Sequence, residues 1–220
     1  MDNRITQILA LTRGPRVLDV GCVGGLQIDE PPVNSPLWVH RHLIDAFEEV
    51  WGIDLSPTRI DKVRELGVTN VHVADAQDFS LDQTFETIVA GELIEHLPKP
   101  AAFLRSARRH LAPNGRLIVT TPYVFGIESV LYAWFKYPQT CPNPEHTVWF
   151  CPRTLRTFAA LEGFDVIELR MIPDDRRPER ASPYNLALFA QWVLQGILPA
   201  RVKTKTMIAV LKPMKRVSAA

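Results

Sequence analysis

Cysteine is scarce in this chain: Cys22, Cys141 and Cys151 are the three cysteines among 220 residues. Their number is odd and their spacing irregular, which excludes the dense disulfide framework of small secreted domains and indicates a reducing compartment. Long apolar runs are lacking as well, since no stretch reaches the roughly 18 uninterrupted apolar residues of a membrane-spanning helix. We therefore expect a cytoplasmic protein without a membrane span.

Net charge is nearly absent. Lysine and arginine number 25, aspartate and glutamate number 24, and the formal charge at pH 7 is +1. A balance this close excludes attachment to nucleic acid through bulk positive charge. Residues 1–16 hold no apolar segment of signal-peptide length, which agrees with the expected cytoplasmic location.

Proline, by contrast, is abundant: 18 residues, about 8% of the chain against an average near 5%. Prolines cluster at positions 31–36 and 138–152. Because proline fixes φ and donates no backbone hydrogen bond, these clusters predict loops rather than helix or strand interiors. We interpret residues 26–36 and 123–152 as proline-rich insertions in a single domain that spans residues 1–220.

Between the loops, short apolar strands alternate with amphipathic helices. Serine followed by proline at positions 35–36 and 56–57 is typical of a helix N-cap with proline at the first helical position. The predicted strands are Arg16–Val20, Val50–Asp54, Val68–Ala74, Thr84–Ala90, Arg116–Thr121, Phe164–Met171 and Thr206–Leu211. The predicted helices cover residues 3–12, 35–49, 57–66, 98–111, 154–162 and 184–198. This alternation predicts an α/β domain with a mostly parallel sheet covered by helices on both faces.

A run of glycines follows the first predicted strand, in the sequence VLDVGCVGG. Glycines at the carboxyl end of a buried strand let the backbone approach a nucleotide-like ligand. The dinucleotide fingerprint G-x-G-x-x-G fits poorly here, because Gly21 is followed by Val23 and Leu26 at the other two glycine positions. This mismatch argues against a nicotinamide-linked oxidoreductase.

A second glycine pattern, acidic-x-G-x-G-x-G, matches at Asp19, Gly21 and Gly25 and departs at Val23. At this point the sequence resembles the class I S-adenosylmethionine-dependent methyltransferases. The resemblance implies a Rossmann-like fold of seven strands with the last one antiparallel. It also implies S-adenosylmethionine as methyl donor, S-adenosylhomocysteine as product, and a cofactor-binding turn that includes Cys22.

Acidic side chains follow the next two strands at the places that the family shows. Asp54 ends the second strand and is followed by Leu55, where the resemblance implies a carboxylate that accepts the ribose hydroxyls. Asp75 and Ala76 follow the third strand, where the family commonly binds the adenine amine. We expect these four residues to contact the cofactor.

Two further segments resemble family motifs. After the fourth strand comes GELIEHLP at 91–98, which is close to the E-V-I-E-H-L of many small-molecule and polysaccharide methyltransferases and places Glu92 near the cofactor. The sequence LAPNGRLIVTTP at 111–122 resembles the family's L-x-P-G-G-x-L…T-P helix-turn-strand. The resemblance extends over roughly residues 14–172.

Two departures from the family pattern bear on the cofactor. Val23 replaces the middle glycine, so we expect its Cβ in the path of the cofactor's carboxypropyl tail. About nine residues, 26–34, separate the glycines from the next helix, so that helix need not point its N-terminus at the ligand. These departures leave a cofactor-binding scaffold without catalysis as an alternative.

The E-x-x-E-H stretch admits two interpretations. The segment 145–150 resembles one in the small-RNA 2′-O-methyltransferases, which implies Glu92, Glu95, His96 and His146 as ligands of a divalent metal. In other methyltransferases with this stretch no metal is known, and the histidine acts as a base or contacts the substrate. We expect the second case, with no metal, His96 and His146 as catalytic bases, and Glu92 or Glu95 orienting one of them.

The acceptor is expected in the crevice outside the carboxyl ends of the strands, beneath the two insertions. Aromatic walls from Trp38, Tyr123 and Trp149 around a few polar groups suit a small molecule or glycan rather than a nucleic-acid strand. The apolar helix at 184–198 predicts either a cover on the sheet or a homodimer contact, with weak membrane or lipid contact as the alternative. The sequence thus predicts methyl transfer to an oxygen of a small molecule or sugar, with a metal-dependent or RNA 2′-O-methyltransferase-like enzyme as a further alternative.

Overall fold

The computed structural model describes residues 3–24, 35–135, 143–173 and 199–214. Seven strands form one sheet: β1 Arg16–Val20, β2 Glu49–Asp54, β3 Val71–Val73, β4 Phe85–Gly91, β5 Leu111–Pro122, β6 Phe164–Pro173 and β7 Thr204–Pro213. Their order across the sheet is β3-β2-β1-β4-β5-β7-β6. The strands β1 to β5 pair in parallel, and β7 runs antiparallel to both of its neighbours. The predicted fold class, including the antiparallel last strand, is confirmed.

Helices cover both faces of this sheet. They are α1 Asn3–Leu11, α2 Val39–Ala46, α3 Pro57–Glu65, α4 Pro100–His110, α5 Ile127–Phe135, α6 Pro152–Leu161 and α7 Ala200–Lys203, with a 3₁₀ turn at Ile94–His96. One buried cluster packs α4 and α6 against Leu18 and Ile88, and a second packs α1 and α2 against Val17 and Val89. Successive residues of β1 and β4 thus enter opposite clusters, as expected of parallel strands buried on both faces. None of the helices in the described ranges is long and apolar enough to cross a membrane.

The two Ser-Pro pairs have different outcomes. Ser56 caps α3 as predicted, since its hydroxyl accepts a hydrogen bond from the Arg59 backbone N–H. Ser35, in contrast, starts a turn rather than a helix: the Trp38 N–H donates to the Ser35 carbonyl at 3.1 Å, and α2 begins only at Val39. Proline at the second position of a β-turn is as favourable as at a helix start, so the dipeptide alone does not distinguish the two.

The second insertion is not a continuous loop. Residues 127–135 within it form α5, which the prolines around it led us to miss. Its sequence IESVLYAWF is apolar on nearly every face, so it lacks the periodicity that identifies an amphipathic helix. The predicted helix at 184–198 lies outside the described residues.

The predicted turn after α4 is part of a strand. The helix ends at His110, and Leu111 already pairs with Phe85 of β4. The register then shifts, so that residues 112–115 form a bulge in which Asn114 has a φ of 65°. Regular pairing resumes at Arg116, where the fifth strand was predicted to begin.

Candidate active site

The glycine-rich turn after β1 is fixed to the end of β2 by backbone hydrogen bonds. The N–H groups of Gly21 and Cys22 both donate to the Ile53 carbonyl, at 2.8 and 3.1 Å. Gly21 and Gly24 have φ values of 81° and 83°, a region that favours glycine. The turn therefore has the tight backbone path that the sequence predicted as far as Gly24, whereas Gly25 lies outside the described residues.

Asp54 connects the same turn to the start of α3. One carboxylate oxygen accepts the Val23 N–H at 3.3 Å, and the other accepts the Ser56 N–H at 3.0 Å. Burial raises the pKa of this carboxyl, while the two amide hydrogen bonds and the Arg59 guanidinium oppose that rise. Asp54 thus lies where β1 and β2 end side by side, at the predicted cofactor edge.

Val23 does not fill the path of a ligand. Its side chain is buried in a cluster with Ile60, Val63 and Val71, and 1% of the residue is exposed. The Cβ that we expected in the path of the cofactor tail therefore packs into the protein. Cys22 is buried next to it, and this burial raises the pKa of its thiol well above the usual range. The thiol stays protonated, so it is not a nucleophile.

The other predicted cofactor residues continue along the sheet edge. Asp54 pairs with Val73 of β3, and the Ala74 N–H donates to the Asp54 carbonyl, so Asp75 and half-buried Ala76 follow directly beside it. The Leu55 side chain is largely exposed, at 61%. Asp75 is exposed, and its carboxylate accepts hydrogen bonds from Gln77. A carboxylate, an apolar surface and a second carboxylate are thereby aligned at this edge.

Glu92 occupies a strained position at the end of β4. Its φ is 51°, and apart from Asn114 it is the one non-glycine residue with positive φ in the described ranges. Two hydrogen bonds with Thr120 stabilise this backbone conformation. The Thr120 hydroxyl accepts the Glu92 N–H at 2.9 Å and donates to the Glu92 carboxylate at 3.0 Å. Arg4 of α1 reaches the same carboxylate at 3.9 Å. Such strain persists only where surrounding contacts fix it, and it concentrates at functional sites.

The segment 92–96 forms less than a full helical turn. Glu92 stays at the strand end, and only Ile94–His96 form a 3₁₀ turn. The Leu93 side chain packs beside the cofactor turn, since a Cβ on Gly21 would lie 3.3 Å from Leu93 Cδ1. The segment that carries the E-x-x-E-H stretch is therefore in direct contact with the predicted methyl-donor turn.

A loop from the second insertion is attached to this segment. The Glu95 carbonyl accepts the backbone N–H groups of Thr147 and Val148, at 2.8 and 3.3 Å. The Thr147 hydroxyl also donates to the Leu97 carbonyl at 2.9 Å. These bonds bring His146 to His96 across 50 residues of sequence, with ring centroids 4.7 Å apart and nearly perpendicular planes.

Glu95, His96 and His146 form a compact group. One ligand-type atom of each lies within 4.8 Å of the others. Glu95 is 1% exposed, and neither carboxylate oxygen has a hydrogen bond of good geometry among the described residues, although the Thr121 hydroxyl lies nearby. Burial, reinforced by the Glu92 charge, raises the pKa of Glu95 well above its usual range. This carboxyl therefore favours its neutral form.

The pKa values of the two imidazoles are shifted in the opposite direction to that of Glu95. Burial lowers the pKa of His96, and the nearby Glu145 carboxylate, 3.9 Å from His96 Nδ1, works against that decrease. Burial and the neighbouring His96 lower the pKa of His146. Both rings are thus neutral near pH 7, the state in which an imidazole accepts a proton.

The group opens into a cavity of about 290 Å³. Its lining includes Glu92, Pro122, Val124 and the predicted Trp149. The volume is at the lower end of ligand pockets and suits a single ring or sugar. The segment 92–96 therefore has two neighbours. It packs against the predicted methyl-donor turn on one side, and it lines the cavity on the other.

Two residues that were predicted to contact the acceptor, Trp38 and Tyr123, do not line this cavity. Trp38 is buried under the glycine turn, where its indole N–H donates to the Cys22 carbonyl at 2.6 Å. The Tyr123 ring packs on the core and against Phe125, while its neighbours on either side supply the cavity wall. The turn at residues 35–38 places the indole against the glycine turn, and Trp38 does not line the cavity.

Sequence reasoning missed several polar residues of the site. Arg4 reaches Glu92 from α1, and Thr121, Asn143 and Lys205 line the cavity. A single arginine on an amphipathic helix carries no motif, and Lys205 enters only because β7 pairs with β5. The T-P end of the L-x-P-G-G-x-L…T-P motif was the one signal available for Thr121.

Curated relatives match part of the chain. A Xanthomonas oryzae protein named ubiquinone biosynthesis O-methyltransferase is 31% identical over 115 residues, which is 49% of this chain and 43% of that protein. The chain thus aligns with less than half the length of this relative.

Solved structures match nearly the whole chain. A S-adenosylmethionine-dependent methyltransferase from Archaeoglobus fulgidus has a TM-score of 0.64 at 16% identity, covering 95% of this chain and 91% of that one. Magnesium protoporphyrin IX methyltransferase from Synechocystis, solved with bound S-adenosylhomocysteine, has a TM-score of 0.58 at 14% identity, covering 96% and 82%. At these identities the likeness establishes the shared fold.

The family follows from the sequence model of the methyltransferase domain, which matches residues 1–169. That range contains the glycine turn, Asp54, Asp75 and the whole Glu95–His96–His146 group. The expectation of a S-adenosylmethionine-dependent methyltransferase is confirmed at the level of the family. The chain belongs to the methyltransferase domain family.

Proposed function

We propose that this chain transfers a methyl group from S-adenosylmethionine to an oxygen atom of a small molecule or sugar. One observation carries the proposal: a buried carboxyl and two imidazoles line a small cavity, and the segment that supplies Glu95 and His96 also packs on the methyl-donor turn. The similarity to proteins named O-methyltransferases supports an oxygen acceptor.

The donor's sulfonium is already activated, so in-line positioning of the acceptor is the protein's main contribution. A hydroxyl acceptor must also lose a proton, and a neutral imidazole within hydrogen-bond reach removes it. His96 is the base in this proposal, because it lies on the segment next to the donor turn. His146 and Glu95 orient the base and the acceptor hydroxyl.

Labelled methyl transfer to a panel of phenols and sugars tests the base. His96→Ala is expected to lower kcat by ~10²–10⁴-fold, the usual contribution of a general base, while S-adenosylhomocysteine binds as in the wild type. His42→Ala is the matched control, since His42 lies on α2 and its ring contacts the Pro36 carbonyl. Unchanged turnover in His96→Ala would remove the base from the mechanism.

A metal-dependent reaction is the second candidate, and the compact Glu95–His96–His146 group favours it. Two imidazoles and a carboxylate are the ligand set of many divalent transition-metal sites. A bound cation would ionise Glu95 and polarise the acceptor oxygen directly. In that case a chelator abolishes turnover and an added cation restores it, whereas base catalysis by His96 continues in the chelator.

A binding scaffold without catalysis is the third candidate, and it was motivated by Val23. The burial of the Val23 side chain removes the steric argument for it. Binding of S-adenosylhomocysteine without methyl transfer to any acceptor would restore this candidate.

The cellular location and the partners of the chain are part of the same proposal. Cys22 and Cys151 are free thiols, which supports a reducing, cytoplasmic location. A glycan acceptor, a homodimer, and lipid contact through residues 184–198 stay predictions, the last because that segment lies outside the described residues.

A further inference from the structure

Two side chains at the start of α2 reach under the methyl-donor turn. The Trp38 indole N–H donates to the Cys22 carbonyl at 2.6 Å. The His40 Nδ1 lies 3.1 Å from the Asp19 carboxylate. One contact thus holds the backbone of the turn, and the other holds the last acidic side chain before it.

The contact between His40 and Asp19 is closed to water. The His40 side chain is 0% exposed and that of Asp19 is 5% exposed. A buried carboxylate without its partner is strongly destabilised, so the contact with His40 favours this rotamer of Asp19. The Asp19 carboxylate therefore points towards α2, beneath the glycine turn that follows β1.

Hydrogen bonding also identifies the tautomer of His40. Its Nε2 is buried and has no partner among the described residues. A proton on Nε2 would be an unsatisfied buried donor, whereas a proton on Nδ1 is donated to Asp19. His40 thus donates to the Asp19 carboxylate through Nδ1.

The space beneath the turn has no room for a side chain on β2 at position 52. A Cβ on Gly52 of β2 would lie 2.7 Å from both Cys22 Sγ and His40 Cε1. The Trp38 and His40 rings are themselves neighbours, with centroids 5.8 Å apart. Glycine at position 52 thus makes room for the ring that holds Asp19.

We propose that His40 and Trp38 are positioning residues for the methyl-donor turn, holding Asp19 and the Cys22 carbonyl so that the turn is preformed before the cofactor binds. This inference rests on the proposed function for its ligand, but the arrangement of the turn is independent of it. A preformed turn lowers the ordering cost of binding. Neither residue contacts the acceptor cavity, so the effect is expected on donor affinity.

The test compares variants in calorimetric titration with S-adenosylhomocysteine and in amide hydrogen exchange of residues 21–24 without ligand. His40→Leu is expected to weaken binding at least tenfold and to speed exchange of the turn. His40→Asn places an amide donor where Nδ1 was, and it is expected to restore both values to within about threefold of the wild type. Trp38→Phe, which removes only the indole donor, is expected to give an intermediate loss.

Leu43→Ala is the matched control, because Leu43 is a fully buried residue of the same helix that packs in the cluster with Val17 and Val89. It is expected to lower the melting temperature at least as much as His40→Leu while leaving affinity and turn exchange unchanged. Wild-type exchange of residues 21–24 in His40→Leu, or a parallel loss in Leu43→Ala, would overturn the proposal. Absence of S-adenosylhomocysteine binding in the wild type would instead refute the proposed function, and the exchange data would still judge the positioning role.

Discussion

Glu145 illustrates how a single residue opposes the effect of burial on the imidazoles of the site. Its carboxylate lies 3.9 Å from His96 Nδ1 and counteracts the decrease in the His96 pKa that burial causes. It acts in the same direction on His146. The proton affinity of both imidazoles is thus adjusted by a residue of the insertion loop.

The first prediction is the pH dependence of this pair. Because a base must be unprotonated, kcat is expected to rise with pH through a pKa below that of free histidine and then to level off. Glu145→Gln removes the charge that raises this pKa, so the rising limb is expected to move to lower pH. Profiles of kcat against pH measure the shift, with Glu162→Gln, a remote partner of Arg105, as control. A limb that moves to higher pH, or not at all, contradicts the assigned role.

Glu95 gives a prediction about stability. Its pKa in the folded state is raised, so between the unfolded pKa of about 4.3 and the folded pKa the native state binds more protons than the unfolded chain. Stability is therefore fully present at acidic pH and decreases as pH rises through this window. The Glu95→Gln variant has no ionisable group at position 95, so its stability is not expected to decrease in this pH window for this reason.

Melting temperatures of the wild type and Glu95→Gln check this point. They are expected to be similar near pH 4, and the variant is expected to become the more stable as pH rises towards neutrality. Glu92→Gln, at the strained but partly exposed neighbour, is expected to show a smaller effect. A wild type that gains stability relative to Glu95→Gln on raising the pH would show that Glu95 is ionised in the fold, as a bound cation requires.

At the scale of elements, the start of α5 connects the insertion to the sheet. Gly126 precedes the helix and packs on the first residue of β7, where an added Cβ would lie 2.1 Å from the Thr204 carbonyl oxygen. Thr204, Lys205 and Val124 all line the proposed acceptor cavity. The close approach of these two backbones therefore contributes to the wall of the proposed acceptor cavity.

Gly126→Ala is accordingly expected to lower stability and acceptor turnover while leaving S-adenosylhomocysteine affinity within about twofold of the wild type. Gly67→Ala is the control, since its left-handed φ of 89° costs stability at the end of α3 without any contact near the cavity. Thermal melts, calorimetry and turnover separate the effects. Equal loss of donor affinity in Gly126→Ala would mean that the two halves of the site are not independent.

The elements differ in how far local sequence determines them. Runs of apolar and β-branched residues predicted all seven strands, because strand patterns act within a few residues. Each of the first four predicted strands also ends in, or is followed directly by, a glycine or an aspartate. The helix α5 and the true start of α2 were not predicted, since an all-apolar segment and a Ser-Pro turn each fit two structures. The meeting of His96 and His146 depends on bonds from the Glu95 carbonyl to residue 147, a contact 52 residues apart that no local pattern shows.

At the scale of the whole molecule, the parallel sheet gathers both halves of the site at its carboxyl edge. The ends of β1, β2 and β3 carry Asp19, Asp54 and Asp75, and the end of β4 carries the E-x-x-E-H stretch. Because ligands of such sheets bind where the strand order reverses, next to β1, donor and acceptor are expected to meet beside Gly21 and Glu92. The family resemblance predicted this donor edge from sequence. The positions of Trp38 and Tyr123 depend on long-range packing, and neither residue lines the cavity.

Calorimetric titration with S-adenosylhomocysteine tests the central claim most directly, that the edge formed by Asp19, Asp54 and Asp75 is a methyl-donor site. We expect saturable binding of one ligand per chain, weakened in Asp54→Ala by ~1–3 kcal/mol, the cost of leaving buried hydrogen-bonding groups without a partner. Titration with NAD under the same conditions is expected to give no binding. Tight binding of NAD together with no binding of S-adenosylhomocysteine would contradict the account.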